Sequence, residues 1–153
     1  MANRTGRFNL FMFFRLPSAW WCGVRLQYLD SERAVASVRH RWINQNPFRS
    51  LFWAVQGMAA ELSTGALVMD KIRRSGRDVA MLVVSNKSTF SKKATGKITF
   101  SCADGKKMDD ALEKAIHSGE GQTIWMKSIG TNEEGVCVST FEFEWTIRLR
   151  PAG

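Results

Sequence analysis

Between Ser50 and Met69 the chain runs SLFWAVQGMAAELSTGALVM, twenty residues that carry a single charge, Glu61. A stretch this apolar must either cross a membrane or lie inside a domain as a helix covered on most of its circumference. Gln56, Glu61, Ser63 and Thr64 make it a poor membrane span, and strand-like segments stand on both sides of it. Inside a domain, Glu61 becomes the residue to explain. An ionised carboxylate is costly to bury unless it is paired, protonated or open to a cleft. Its helical neighbours at three and four residues are Gly57, Met58, Thr64 and Gly65, small or soft residues with no cation among them. In one reading they leave room beside the carboxylate for something other than protein, and Glu61 is a catalytic acid or base. In the other, Glu61 points out through a gap or pairs with an arginine from another segment.

The flanking segments supply a sheet. Val24, Leu26 and Tyr28 alternate with Arg25 and Gln27, and after the turn at Asp30-Ser31-Glu32 a second strand has Ala34, Ala36, Val38, His40 and Trp42 on one face. Asn44-Gln45-Asn46-Pro47 breaks that pattern and leads into the apolar helix. The helix should end near Arg73-Arg74, with Gly76 as its stop. Strand patterns follow at Val79–Phe90, around Ile98-Phe100-Cys102 and at Gln122–Ile129. The clearest has Phe141, Phe143, Trp145, Ile147 and Leu149 inward. A polar helix at Met108–Gly119 interrupts the strands. The fold class is therefore α+β, a curved antiparallel sheet of about six strands wrapped around a long central helix. At 153 residues this is a single domain over 1–153, with an amphipathic N-terminal docking helix at about 6–15. The apolar run Phe8–Phe14 is short for a signal peptide, and Arg15, Pro17, Trp20 and Trp21 follow it with no small-residue cleavage site.

The charge balance, 22 basic against 14 acidic residues, favours a polyanionic partner or ligand. The basic residues are scattered, with pairs at Arg73-Arg74, Lys92-Lys93 and Lys106-Lys107, and no nucleic-acid recognition motif accompanies them. Nucleic acid is accordingly not expected as a partner. Cys22, Cys102 and Cys137 are far apart and odd in number, which fits reduced thiols in a cytoplasmic protein and neither zinc nor disulfides. Cys102 and Cys137 read as core residues. His40 and His117, the two histidines, adjoin no Ser or Cys nucleophile motif, so a hydrolase triad is not indicated. No metal-ligand cluster is visible, and Asp109-Asp110 reads as a solvated pair at a helix start.

An Asn-containing loop that opens a central helix, in the run NPFRSLFWAVQGMAAE (Asn46 to Glu61), resembles the hotdog fold, most of all the phenylacetate-pathway (PaaI-like) thioesterase branch. TFSKKATGKITFSCADG is similar to that family's strand-turn-strand after the helix. The resemblance implies an acyl-thioester hydrolase acting on an acyl-coenzyme A or acyl-carrier substrate, with coenzyme A part of the substrate and no other cofactor. Asn46 falls on the family's amide position and would orient the carbonyl or the water. Glu61 falls on the catalytic carboxylate, as general base or nucleophile. Phe52, Trp53 and Ala54 stand where the family has His-Gly-Gly, so the oxyanion donor would be the backbone N–H of Trp53. That requires the helix to begin near Ser50 and not at Pro47, because only a first-turn N–H lacks an acceptor within the helix. Lys92 and Lys93 are candidates for the coenzyme A phosphates, or simply an exposed turn. The family association is a homodimer or dimer of dimers whose sheets join at exposed edges, the third or last strand here, and whose sites draw on both subunits. The alternative is a hotdog domain that binds an acyl or other apolar ligand without hydrolysing it, a reading the missing glycines favour.

Overall fold

Strand alternation at six places and one helix with no polar face give the architecture its layers. The computed structural model describes residues 2–151. In chain order the elements are α1 (Ala2–Arg15), α2 (Pro17–Trp21), β1 (Arg25–Leu29), β2 (Ala34–Arg39), a 3-10 turn (Trp42–Asn44) and α3 (Trp53–Ser75). Then come β3 (Val79–Phe90), β4 (Lys97–Cys102), α4 (Gly105–Ser118), β5 (Gln122–Thr131) and β6 (Cys137–Leu149). The six strands form one antiparallel sheet in the order β1-β2-β4-β5-β6-β3. It curves around α3 in the hotdog arrangement. Seven consecutive residues of α3, Leu62 to Val68, are buried, so the middle of the helix is covered on every side. Among the described residues no helix is long and apolar enough to cross a membrane.

The helix is fixed to the sheet by polar groups as well as by packing. Ser139 Oγ of β6 donates to Gln56 Oε1 at 2.8 Å, Ser63 and Ser128 of β5 share a hydroxyl hydrogen bond at 2.7 Å, and Trp145 Nε1 of β6 donates to Thr64 Oγ1 at 3.0 Å. All three pairs are buried. Each fixes both the rotation and the axial position of α3, because moving the helix by one residue would leave a buried donor unsatisfied. Gly57 and Gly65 serve the same packing. A Cβ at 57 would stand 3.4 Å from the Phe141 ring and one at 65 would stand 3.3 Å from the Trp145 indole. The space expected beside Glu61 at these two glycines is therefore filled in large part by the core rings of β6.

Several expectations are corrected. The second strand stops at Arg39, short of Trp42. Asn44 Oδ1 accepts from the Arg41 N–H, and its Nδ2 donates to the carbonyls of Cys22 and Arg39, so the chain turns away and Trp42 is left 84% exposed. His40 donates its N–H to Gly96 O and is half-buried, with its Nε2 buried and without a partner among the described residues. In β1 a bulge between Leu26 and Tyr28 resets the alternation, and Leu29 goes inward in place of Tyr28. Cys102 is buried and its thiol is pushed up to about 12 by burial, whereas Cys137 is exposed. Asp109 is not merely solvated, since it pairs with the buried Lys71 Nζ of α3 and ties α4 to it. The last strand is internal, so the sheet edges are β1 and β3. α3 ends as read, with Gly76 at φ 67° and its N–H on Arg73 O.

The two edges differ. Asn9 of α1 accepts from the Leu26 N–H and donates to the Leu26 carbonyl, both at 2.9 Å, so α1 covers the short, bulged β1. No described element covers β3, which is 12 residues long and leaves Leu82 and Val84 exposed. Such an edge is a template for pairing. The buried clamps yield a direct check. Replacing Thr64 with Val leaves Trp145 Nε1 without its acceptor and should lower the unfolding free energy by about 1–3 kcal/mol in a urea titration.

Candidate active site

Glu61 sits a little beyond the first two turns of α3, and the clamps determine where it faces. At about 100° per residue it lies roughly 150° round the helix from the Gln56–Ser63 line that meets the sheet and about 60° from Thr64, whose partner is Trp145. It therefore faces the two N-terminal helices. Met12, Arg15, Leu16, Pro17, Ser18 and Ala19 close over it, and with Met58 and Leu62 of α3 they line a cavity of about 330 Å³ into which Glu61 opens. Glu61 Oε1 lies 3.5 Å from where a Gly65 Cβ would stand, and the Trp145 indole lies 3.3 Å from that same point. The carboxylate therefore rests over Gly65 beside an aromatic ring.

No hydrogen bond or ion pair holds the Glu61 side chain among the described residues. The other acidic residues of the two long helices are mostly paired: Asp70 with Arg73 and Arg74, Asp109 with Lys71, and Asp110 with Lys106. Burial without a partner raises the Glu61 pKa above the ordinary carboxylate value. A carboxylate in this state can accept a proton more readily than a solvated one.

The helix start is a second cluster. α3 begins at Trp53, three residues later than Ser50, with Phe52 at the cap. The N–H groups of Val55 and Gln56 both turn back to Phe52 O, which leaves those of Trp53 and Ala54 with no acceptor among the described residues. The two aromatic side chains form an edge-to-face pair with ring centroids 6.0 Å apart, and the indole is 57% exposed. Asn46 organises the loop ahead of them. Its Oδ1 accepts from the N–H groups of Phe48 and Ser50 at 3.0 and 3.1 Å, and its Nδ2 donates to Ser50 Oγ at 2.9 Å. Arg49 in that loop takes a positive φ of 58°, the one non-glycine residue among those described to do so. The Asn44 carbonyl accepts from the Phe52 N–H at 2.9 Å and seats the loop.

Lys92 and Lys93 are exposed in the turn after β3. The turn reaches the helix start, since the Leu51 N–H donates to Ala94 O at 2.8 Å. The fold thus gathers Asn46, Trp53, Lys92 and Lys93 at one end of α3. Glu61 lies apart from them, eight residues and roughly 12 Å along the helix axis from Trp53 of the same chain. The sequence did not indicate the other half of the cavity, namely Met12, Arg15 and Leu16. The amphipathic pattern of α1 signals a docked helix, but only the tertiary fold shows that it docks over Glu61. Among the described residues no group of three or more His, Cys, Asp or Glu could hold a metal ion.

A family model described as a domain of unknown function, DUF4442, matches residues 4–147. No curated protein matches the chain. Solved structures do. A Pseudomonas aeruginosa protein described as a probable thioesterase is 20% identical over 86% of each chain, with a TM-score of 0.74. A protein of unknown function from Chlorobaculum tepidum is 15% identical over 95% of this chain and 94% of its own, at 0.82. A mutant Pseudomonas aeruginosa thioesterase is 14% identical over 95% and 94%, at 0.72. At these identities the likeness establishes the fold.

The half-buried, unpaired carboxylate predicts a pH signature of its own. Because its pKa is raised in the folded state, the folded protein holds the Glu61 proton more tightly than the unfolded chain does. Stability should therefore fall as pH rises from the unfolded value through the folded one. Glu61→Gln removes that penalty. The variant should melt above the wild type at pH 7, and the two should converge near pH 4 in paired calorimetric scans.

Proposed function

The chain belongs to the DUF4442 family, and from that premise we propose that it is an acyl-thioester hydrolase, nearest the PaaI-like branch, with Glu61 as its general base. The observation that carries this reading is the half-buried Glu61 carboxylate, unpaired among the described residues and opening into a largely apolar cavity. The acyl chain lies in that cavity, against Met12, Leu16, Met58 and Leu62. Glu61 takes a proton from a water whose oxygen attacks the thioester carbonyl carbon. The carbon–sulfur bond then breaks, and the departing thiolate takes back that proton from Glu61, leaving a carboxylic acid, a free thiol and the Glu61 carboxylate restored. The Trp53 N–H, an unused donor at the positive end of α3, stabilises the oxygen that becomes negative in between. Asn46 acts by holding the loop that presents this donor. Lys92 and Lys93, beside the same helix start, meet the phosphates of a coenzyme A carrier. The protein works in the cytoplasm on a small soluble thioester.

Within one chain, Glu61 and the Trp53 N–H are too far apart to meet one carbonyl. We therefore infer a homodimer, in which each site takes its carboxylate from one subunit and its helix start from the other. The uncovered β3 edge is its seam, with Leu82 and Val84 at the contact. A second reading, an acyl-binding domain without hydrolysis, rests on the exposed Phe52 and Trp53 side chains, which crowd the helix start where the resembling enzymes have glycines.

A screen of acyl-coenzyme A esters of graded length should find hydrolysis that drops at least about a hundredfold in folded Glu61→Gln. Undiminished turnover in that variant would refute the assignment, whereas saturable acyl binding without turnover in the wild type would favour the second reading. Light scattering at low micromolar concentration should give the mass of a dimer or larger assembly. The double substitution Leu82→Lys and Val84→Lys should yield monomers that have lost hydrolysis. A stable wild-type monomer would eliminate the shared site.

A further inference from the structure

A larger cavity lies at the other end of α3, about 510 Å³ between α1 and the last turns of the helix, and it shares no lining residue with the one at Glu61. We propose that it is a binding site for a single-chain anionic amphiphile, its head held by Arg4 and Arg7 and its chain laid against Phe8, Phe11 and Met69. On α1, the residues at 4, 7, 8 and 11 fall on one helical face, so a single stripe is cationic at its start and aromatic farther on. That polarity matches a molecule with one charged end and one apolar end, and it fixes the orientation of the ligand.

The charges do not balance without a guest. Asp70, 4% exposed, is the cavity's one acidic lining residue, and it already holds two arginines, Arg73 Nη2 at 2.9 Å and Arg74 Nε at 2.7 Å. Arg4 and Arg7 have no carboxylate partner among the described residues. An adjoining cavity of about 370 Å³ shares Arg4 and Leu29 and brings in Arg74 and Asp30. Asp30 does not relieve the excess, because its oxygens are occupied by the Tyr28 hydroxyl at 2.6 Å and by the N–H groups of Glu32 and Arg33. Two guanidinium groups beside a partly apolar hollow form a site for an oxyanion with a hydrocarbon tail. A carboxylate and a phosphate monoester share that chemistry.

Calorimetric titration with dodecanoate, dodecyl phosphate and dodecanol, each below its micelle threshold, tests the proposal. The two anions should bind at least tenfold more tightly than the alcohol, and the tighter of them identifies the head group. The double variant Arg4→Gln, Arg7→Gln should weaken anion binding at least tenfold. Both side chains are exposed and have no hydrogen-bond or ion-pair partner among the described residues, so its melting temperature should be unchanged. Phe11→Ser should weaken the anions and the alcohol alike, and Met58→Glu, which puts a second carboxylate in the wall of the Glu61 cavity, should leave this binding in place, which separates the site from the proposed catalytic one. Dodecanol bound as tightly as dodecanoate, or anion binding undiminished in the double arginine variant, would overturn it.

Discussion

The covering of α3 on every side is the constraint from which the rest follows. A helix with no polar face has no intrinsic rotational preference in an apolar surround, so something other than amphipathicity must orient it. Three buried hydrogen bonds, Gln56–Ser139, Ser63–Ser128 and Thr64–Trp145, provide that orientation. Each is modest in net energy, but an unsatisfied buried donor is expensive, so together they exclude alternative registers more than they add stability. The Gln56 and Ser63 bonds lie across the helix from Glu61 and the Thr64–Trp145 bond lies beside it, which leaves the acid between the Trp145 ring and the N-terminal helices. The placement of the acid in a cavity is thus a consequence of polar contacts made elsewhere on the same helix.

Much of this was legible in the sequence where the cause is local. Alternation marked most of the strands, since a half-buried strand must alternate whatever its partners, and length with β-branching marked Val79–Phe90. The Arg73-Arg74-Gly76 terminus was legible for the same reason. Glu61 stood out because a single charge in twenty residues has no local explanation. Features set by partners distant in the chain were not legible. Trp42 continues the alternation of β2 and yet is exposed, because Asn44 bonds to Cys22 and Arg39 and turns the chain. Gly57 and Gly65 read as space for a ligand, but the space holds Phe141 and Trp145. Asp109 looked solvated because its partner, Lys71, lies 38 residues away.

The N-terminal helices do three different things along one length. The start of α1 brings Arg4 and Arg7 to the far end of α3, Asn9 seals the edge strand β1, and Met12 to Leu16 roof the Glu61 cavity. Sealing β1 matters beyond that edge. A six-stranded open sheet has two edges, and once α1 takes the backbone groups of Leu26 the remaining pairing surface is β3. The asymmetry between a covered short strand and an uncovered long one gives any association of this sheet a direction.

The proposed hydrolysis would depend on association more than binding alone would. A carbonyl undergoing attack must lie within about 3 Å of both the base-bound water and the oxyanion donor. One α-helix holds Glu61 and the Trp53 N–H at a fixed spacing of roughly 12 Å, and no side-chain rotation closes that gap. A lone subunit can therefore bury an acyl chain beside Glu61 but cannot present both groups to one thioester. The replacement of His-Gly-Gly by Phe52-Trp53-Ala54 bears on the donor side alone. The backbone N–H remains, as it does at any non-proline residue, but two rings flank it. In the proposed dimer, the choice between hydrolysis and binding alone would turn on the approach to Trp53. The carboxylate, the cavity and its apolar wall are common to both outcomes.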